Sequence, residues 1–101
     1  MKRVYLDHNA TTPLDQRVFD AMQPYLVEHY GNPSSPHYYG RLAKEALEES
    51  REKTANAINV KPEEIIFTSG GTEADNLALR GIALHRRGRK GHIITSSVEH
   101  H

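Results

Sequence analysis

The chain has 101 residues, thirteen lysines and arginines against thirteen aspartates and glutamates, and no formal net charge. That balance argues against a nucleic-acid protein, which carries a basic stripe or patch, and against an anionic membrane surface as the main partner. With no cysteine, disulfides and thiolate zinc sites are excluded, and a chain of this length can form one small domain.

Seven histidines stand at 8, 29, 37, 85, 92, 100 and 101, and no pair has the His-Glu-x-x-His spacing of a helical metal site. Adjacent His100 and His101 point in different directions on one element, so no metal site is expected. Met1-Lys2-Arg3 is basic, but Asp7, His8 and Asn9 arrive before any signal-peptide core. No apolar run reaches membrane-spanning length, so the expectation is a cytoplasmic protein without a membrane partner.

In chain order, Val4-Tyr5-Leu6 is a brief apolar segment running into the turn-rich loop Asn9-Ala10-Thr11-Thr12-Pro13. Asp15 reads as the N-cap of a helix whose apolar face is Val18, Met22, Leu26 and Tyr30, with Pro24 predicting a kink or two short pieces. Residues 31–36, Gly-Asn-Pro-Ser-Ser-Pro, form a loop. A longer helix is expected over 37–58, with Leu42, Ala43, Ala46, Leu47, Ser50 and Thr54 inward. Glu45, Glu48, Glu49, Arg51, Glu52 and Lys53 make its solvated, ion-paired face. Residues 61–64 turn into a strand at 65–68, a helix follows over 72–86 with Gly88 and Gly91 at its end, and 92–96 reads as a second strand.

Strand, helix, strand is the unit of an α/β layered fold. Two short strands cannot make a buried parallel sheet, because both faces and both edges need cover. The expectation is therefore the beginning of something larger.

Between the first strand and its helix lies Ser69-Gly70-Gly71-Thr72-Glu73-Ala74-Asp75-Asn76. The first N–H groups of a helix lack intrahelical partners, and the helix dipole favours negative charge there. Such a turn can cradle an anion, most often a phosphate, with glycines letting the ligand approach closely. Thr72 is expected to cap the helix and offer its hydroxyl, with Asp75 near a capping-box spacing. The segment lacks the Lys-Ser/Thr ending of a nucleotide P-loop and the three-glycine dinucleotide spacing, so plain connection remains the other reading of the glycines alone.

Four blocks together resemble the cysteine desulfurases of the class V aminotransferase group, fold type I pyridoxal-phosphate enzymes. They are Tyr5-Leu6-Asp7-His8-Asn9-Ala10-Thr11-Thr12-Pro13, then Gly31-Asn32-Pro33-Ser34-Ser35-Pro36-His37 with Gly40 and Arg41, then residues 67–78, and His92-Ile93-Ile94-Thr95-Ser96-Ser97-Val98-Glu99-His100. They follow in the family's order and spacing over essentially the whole chain.

The resemblance implies a fold class: α/β, the N-terminal part of a fold type I enzyme. Residues 1–101 would be the N-terminal portion of an aminotransferase class V domain, with 1–60 a helical segment and 61–101 the start of the cofactor-binding large domain. In that fold the two strands are not sheet neighbours, since later strands lie between them.

The resemblance also implies roles. Gly71 and Thr72 would hold the phosphate of pyridoxal 5′-phosphate, although the family commonly has alanine where Gly71 stands. His100 would lie on the ring face and help move protons, its alternative being an ordinary strand-end histidine. Asn9, Ala10 and His37 are suggested on the substrate side; Asn9 could equally be a turn residue and His37 a helix-start residue. Neither the Schiff-base lysine nor the sulfur-accepting cysteine is present, because the family places both downstream. Lys2, Lys44, Lys53, Lys61 and Lys90 stand in other contexts.

The implied parent reaction takes sulfur from L-cysteine, releasing L-alanine and leaving an enzyme persulfide for iron–sulfur cluster assembly or thio-cofactor synthesis. A sulfur-acceptor protein such as an iron–sulfur scaffold would be its partner, and a homodimer its assembly. This segment alone is expected to be inactive. The alternatives are another class V enzyme, a selenocysteine lyase or small amino-acid aminotransferase, and a non-catalytic binding or structural remnant.

Overall fold

The structure, a computed structural model, describes residues 1–85 and 91–99. It comprises two compact units, Met1–Ile65 and Ile66–His101.

The first unit opens with a clasped turn. The Tyr5 hydroxyl lies 2.9 Å from the Asp7 carbonyl oxygen and 3.1 Å from that of Thr11, with Thr11 Oγ1 at 2.7 Å. Ala10 and Thr11 N–H both donate to the Asp7 carbonyl, closing the turn that carries Asn9.

Helix α1 spans Gln16–Val27 with Asp15 as N-cap, its Oδ1 accepting the Arg17 N–H at 2.8 Å. The Arg17 guanidinium grips the same carboxylate at 3.0 and 2.8 Å. That pairing holds Asp15 below its ordinary range and Arg17 above its own. Of the expected kink or two short pieces, the second does not occur: α1 is one helix with Pro24 inside it. Pro24 lies three residues before the helix end, so its missing N–H removes a single late ladder bond. Its carbonyl still accepts from Glu28 and His29, both at 2.8 Å. Val18, Met22 and Leu26 lie on α1, whereas Tyr30 falls beyond its end.

Between α1 and α2 (Tyr38–Ile58) the loop is built backbone against backbone. Asn32 Oδ1 accepts the Ser34 N–H at 2.9 Å and the Asn32 carbonyl accepts Ser35 N–H at 3.0 Å, a side-chain-organised turn. A Cβ on Gly31 would lie 2.3 Å from the Tyr39 carbonyl oxygen, too close for any residue but glycine. At its other end α2 closes on Asn59 in the left-handed region (φ 58°), with Val60 N–H returning to the Ala55 carbonyl at 3.0 Å.

Leu42, Ala43, Ala46 and Leu47 are half-buried as the periodicity predicts, and Ala55, at 0% exposure, is the one buried apolar residue among the described residues. Ser50 and Thr54, expected inward, are exposed. Their hydroxyls bond back to the carbonyls of Ala46 (2.7 Å) and Ser50 (2.8 Å), which satisfies them without a buried partner. Arg51, expected on the solvated face, instead extends to the carbonyl oxygen of Ile65 at 2.5 Å, its side chain only 22% exposed. Through that bond α2 is tied to a 3₁₀ turn at Pro62–Glu64, where Glu64 Oε2 accepts the Lys61 N–H at 2.8 Å. The charged face otherwise forms the expected ion pairs, Lys53–Glu49 at 2.6 Å and Arg51–Glu48 at 3.1 Å.

The second unit is built on α3, Gly71–His85. Residues 65–68 and 92–96, where strands are expected, run without regular structure, and no strand forms among the described residues. A strand exists only through a ladder of bonds to a neighbour, and no such ladder is formed among the described residues. Most of the apolar side chains in the two segments are exposed, Ile66 at 67% and Ile94 at 94%, while Ile65 is half-buried. Residues 86–90, including Gly88 and Lys90, lie outside the described residues. Among those described, no helix is long and apolar enough to cross a membrane.

Candidate functional site

The turn at 68–73 organises itself around the start of α3. The first bond of the helix runs from the Ala74 N–H to the Gly70 carbonyl at 3.1 Å. The N–H groups of Gly71, Thr72 and Glu73 therefore lie ahead of the helix's own ladder and point out of its positive end. Helix α3 begins one residue before Thr72, so Thr72 is inside the first turn and is not the cap. Glu73 takes the reciprocal capping role expected of Asp75: its Oε2 accepts from both the backbone N–H and the hydroxyl of Ser69, each at 2.6 Å. Those bonds, the hydroxyl's first and then the backbone's, hold the Glu73 carboxyl below its ordinary range. Thr68 Oγ1 donates to the Gly70 carbonyl at 3.2 Å, and Asn76 Nδ2 to the Thr72 carbonyl at 2.8 Å.

Neither Gly70 nor Gly71 has the positive φ that would demand glycine, and a Cβ built on either would meet nothing within 4 Å. This is the opposite of Gly31, where backbone crowding excludes a side chain. Open space before unpaired-by-helix N–H groups is what an anionic group needs to reach main-chain donors. A cavity of about 750 Å³ opens beside it, lined by Gly71, Thr72, Asp75, Asn76, Thr95 and Glu99 among others. Its size is that of a small-ligand site. A phosphate monoester fits the donor set of Gly71 and Thr72: main-chain N–H groups, a hydroxyl and a helix dipole. A second groove of about 550 Å³ runs along α1, lined by apolar side chains such as Val18, Met22 and Leu26 and by Arg17, whose guanidinium is already paired with the Asp15 carboxylate.

The remaining predicted residues have local roles in the first unit. Asn9 and Ala10 sit in the turn at residues 8–10 and are exposed. His37 is the N-cap of α2, its Nδ1 accepting the Gly40 N–H at 3.3 Å, so the helix-start role is one it does fill. That bond leaves Nε2 to carry the ring proton in the neutral imidazole. His100 lies outside the described residues. Sequence reasoning missed Ser69 and Glu73; the signal was a glutamate at the third helical position, hidden because the helix start was set at Thr72.

Residues 4–101 match the family model described as aminotransferase class-V. The chain belongs to that family. Among curated class-V relatives it is similar to a protein named cysteine desulfurase IscS from Dictyoglomus turgidum, 58% identical over all of this chain and 26% of that protein. A putative cysteine desulfurase IscS 1 from Bacillus subtilis is 52% identical over all of this chain and 27% of its own length. The human protein named cysteine desulfurase is 50% identical over 99% of this chain and 22% of its own length. A solved structure titled NifS-like protein matches 98% of this chain and 27% of its own, with a TM-score of 0.90 and 45% identity. The chain thus spans about a quarter of the length of the relatives it matches.

Proposed function

We propose that this chain is the opening segment of a pyridoxal-phosphate-dependent cysteine desulfurase, and that the turn at Gly70–Thr72 holds the cofactor's phosphate. One observation carries the reading: identity of 50–58% over 99–100% of the chain to proteins named cysteine desulfurase from bacteria and human. The glycine turn with its free-standing N–H groups supports the cofactor assignment independently.

When bound, pyridoxal phosphate supplies an electron sink for the bonds at the substrate's α-carbon. The residues of this chain bind and orient. Gly71 and Thr72 anchor the phosphate through main-chain N–H groups and the threonine hydroxyl, which fixes the ring's position relative to the rest of the site. His100, which lies outside the described residues, would hold or move a proton beside the ring near neutral pH. Asn9, Ala10 and His37 line the substrate side, with the His37 Nε2–H available to donate because Nδ1 is engaged by Gly40. Residues 1–60 form a helical segment and 61–101 begin the large α/β domain of a fold type I enzyme. Residues 65–68 and 92–96 become strands there once neighbouring strands supply their ladders. The substrate is L-cysteine, the products L-alanine and an enzyme persulfide passed to an acceptor such as an iron–sulfur scaffold. The working assembly is a cytoplasmic homodimer.

The test is to express the complete reading frame that contains this segment and incubate it with L-cysteine. L-Alanine formation dependent on pyridoxal phosphate, with one sulfur transferred per alanine, supports the proposal. No alanine, or turnover only of selenocysteine or another amino acid, overturns it in favour of a different class-V activity.

A further inference from the structure

Among the donors at the start of α3, two are already taken. Glu73 Oε2 accepts both the N–H and the hydroxyl of Ser69, at 2.6 Å each, although the carboxylate is solvent-exposed and could turn elsewhere. Thr68 Oγ1 and the Ala74 N–H converge on the Gly70 carbonyl from the other side. The turn is therefore held at both ends, at Ser69 and at Gly70, while the N–H groups of Gly71 and Thr72 stand outside these ties. Gly70 and Gly71 carry no side chain that could brace the loop, and no contact from elsewhere reaches their Cβ positions within 4 Å. Bracing must come from polar ties within the turn, and the two bonds to Glu73 are the shortest of them.

We infer that Glu73 is a positioning residue for anion binding: its carboxylate acts as a hydrogen-bond acceptor that pins Ser69, so the main-chain donors of Gly71 and Thr72 are preset toward a phosphate. This rests on the reading of that turn as the phosphate cradle. The role is geometric, not electrostatic. A negative charge beside a phosphate repels it, so the benefit comes from reach and acceptance. Both bonds end on one oxygen, and a glutamine carbonyl can replace it. An aspartate keeps the charge but is one methylene too short.

The experiment uses the protein from the complete reading frame, carrying Glu73→Gln or Glu73→Asp, and measures dissociation constants for pyridoxal 5′-phosphate and for pyridoxal. The ratio of the two isolates the phosphate's contribution and does not depend on turnover. Glu73→Asp is expected to lower that ratio about tenfold, the scale of one lost hydrogen bond, with pyridoxal affinity unchanged. Glu73→Gln should stay within about threefold of the unaltered protein. Amide exchange at Ser69, slow in the unaltered protein and Glu73→Gln and fast in Glu73→Asp, reads the clasp directly. The inference is overturned if Glu73→Asp keeps the original ratio, or if Glu73→Gln loses as much as Glu73→Asp. A protein that binds pyridoxal as tightly as its phosphate before any substitution overturns the cradle reading instead.

Discussion

A Cβ on Gly40 would lie 2.2 Å from the carbonyl oxygen of Ser35, because the loop before α2 folds directly onto that helix's first turn. The obstacle is backbone, with the Asn32 carbonyl oxygen a further 2.7 Å contact, and no rotamer change relieves it. Gly40→Ala is expected to destabilise the loop and the start of α2 by about 1–3 kcal/mol, the range for forced overpacking. Gly71→Ala, facing open space at a helix start, should be neutral or stabilising by up to about 1 kcal/mol. Chemical denaturation of both variants in the protein from the complete reading frame checks the contrast. Equal loss from both would contradict it.

Asp15 gives a pH dependence with a definite sign. Its carboxyl is held low in the folded chain, chiefly by the Arg17 side chain and then by the Arg17 N–H. A depressed folded value means the contribution is complete above the ordinary carboxylate range and is lost as pH falls through the folded value. Residues 16–20 should therefore lose amide protection only as pH falls below the ordinary carboxylate range in the native protein, and lose it already at neutral pH in Asp15→Ala. Asp15→Asn, which keeps the capping oxygen, should retain protection at both pH values. Identical exchange in all three would refute the cap as the cause.

Sequence pattern alone places α2 and α3 to within a residue and starts α1 at its cap, because each has a local signal (a capping Asp15, a Gly-Asn-Pro loop, a glycine turn), but it carries α1 three residues too far, to Tyr30. The glycines themselves were less legible. Gly31 and Gly40 are required by crowding, whereas Gly70 and Gly71 face open space and nothing in the backbone demands glycine there, yet both situations leave the same letter in the sequence. Arg51 was misread because helical periodicity places it among glutamates, whereas its guanidinium is long enough to leave that face and find Ile65. For residues 65–68 and 92–96, an apolar run states a preference for a sheet, but the sheet's existence depends on neighbours the run does not encode. Nothing local marks the proposed substrate-side role of Asn9, Ala10 and His37, and the turn at Asn9 and the helix cap at His37 account for those two residues without any ligand.

Arg51 joins α2 to the 3₁₀ turn through the Ile65 carbonyl. Arg51→Met keeps most of the apolar stem while deleting the donor, so it separates packing from hydrogen bonding. A loss of about 1.5–3 kcal/mol is expected, the scale of a charge-assisted bond to a carbonyl. Arg51→Lys should recover part of it, since a single ammonium reaches less reliably than the guanidinium fork. Denaturant midpoints of the two variants provide the measurement, and a full-stability Arg51→Met would show that the bond contributes nothing.

Residues 1–101 taken by themselves present a different problem. No large side chain is fully buried among the described residues, and Ile66, Ile94 and Val98 lie on the surface of the second unit. Marginal stability is what remains after apolar burial offsets chain entropy, and one buried alanine supplies almost nothing on the favourable side. The helices still have caps and ion pairs, so the isolated segment should show helical circular dichroism. It should melt broadly without a cooperative transition and bind a hydrophobic dye strongly. Protein from the complete reading frame should melt sharply and bind little dye. A cooperative melt of residues 1–101 alone would mean that they form a self-sufficient module, and the opening-segment reading would give way to a binding or structural one.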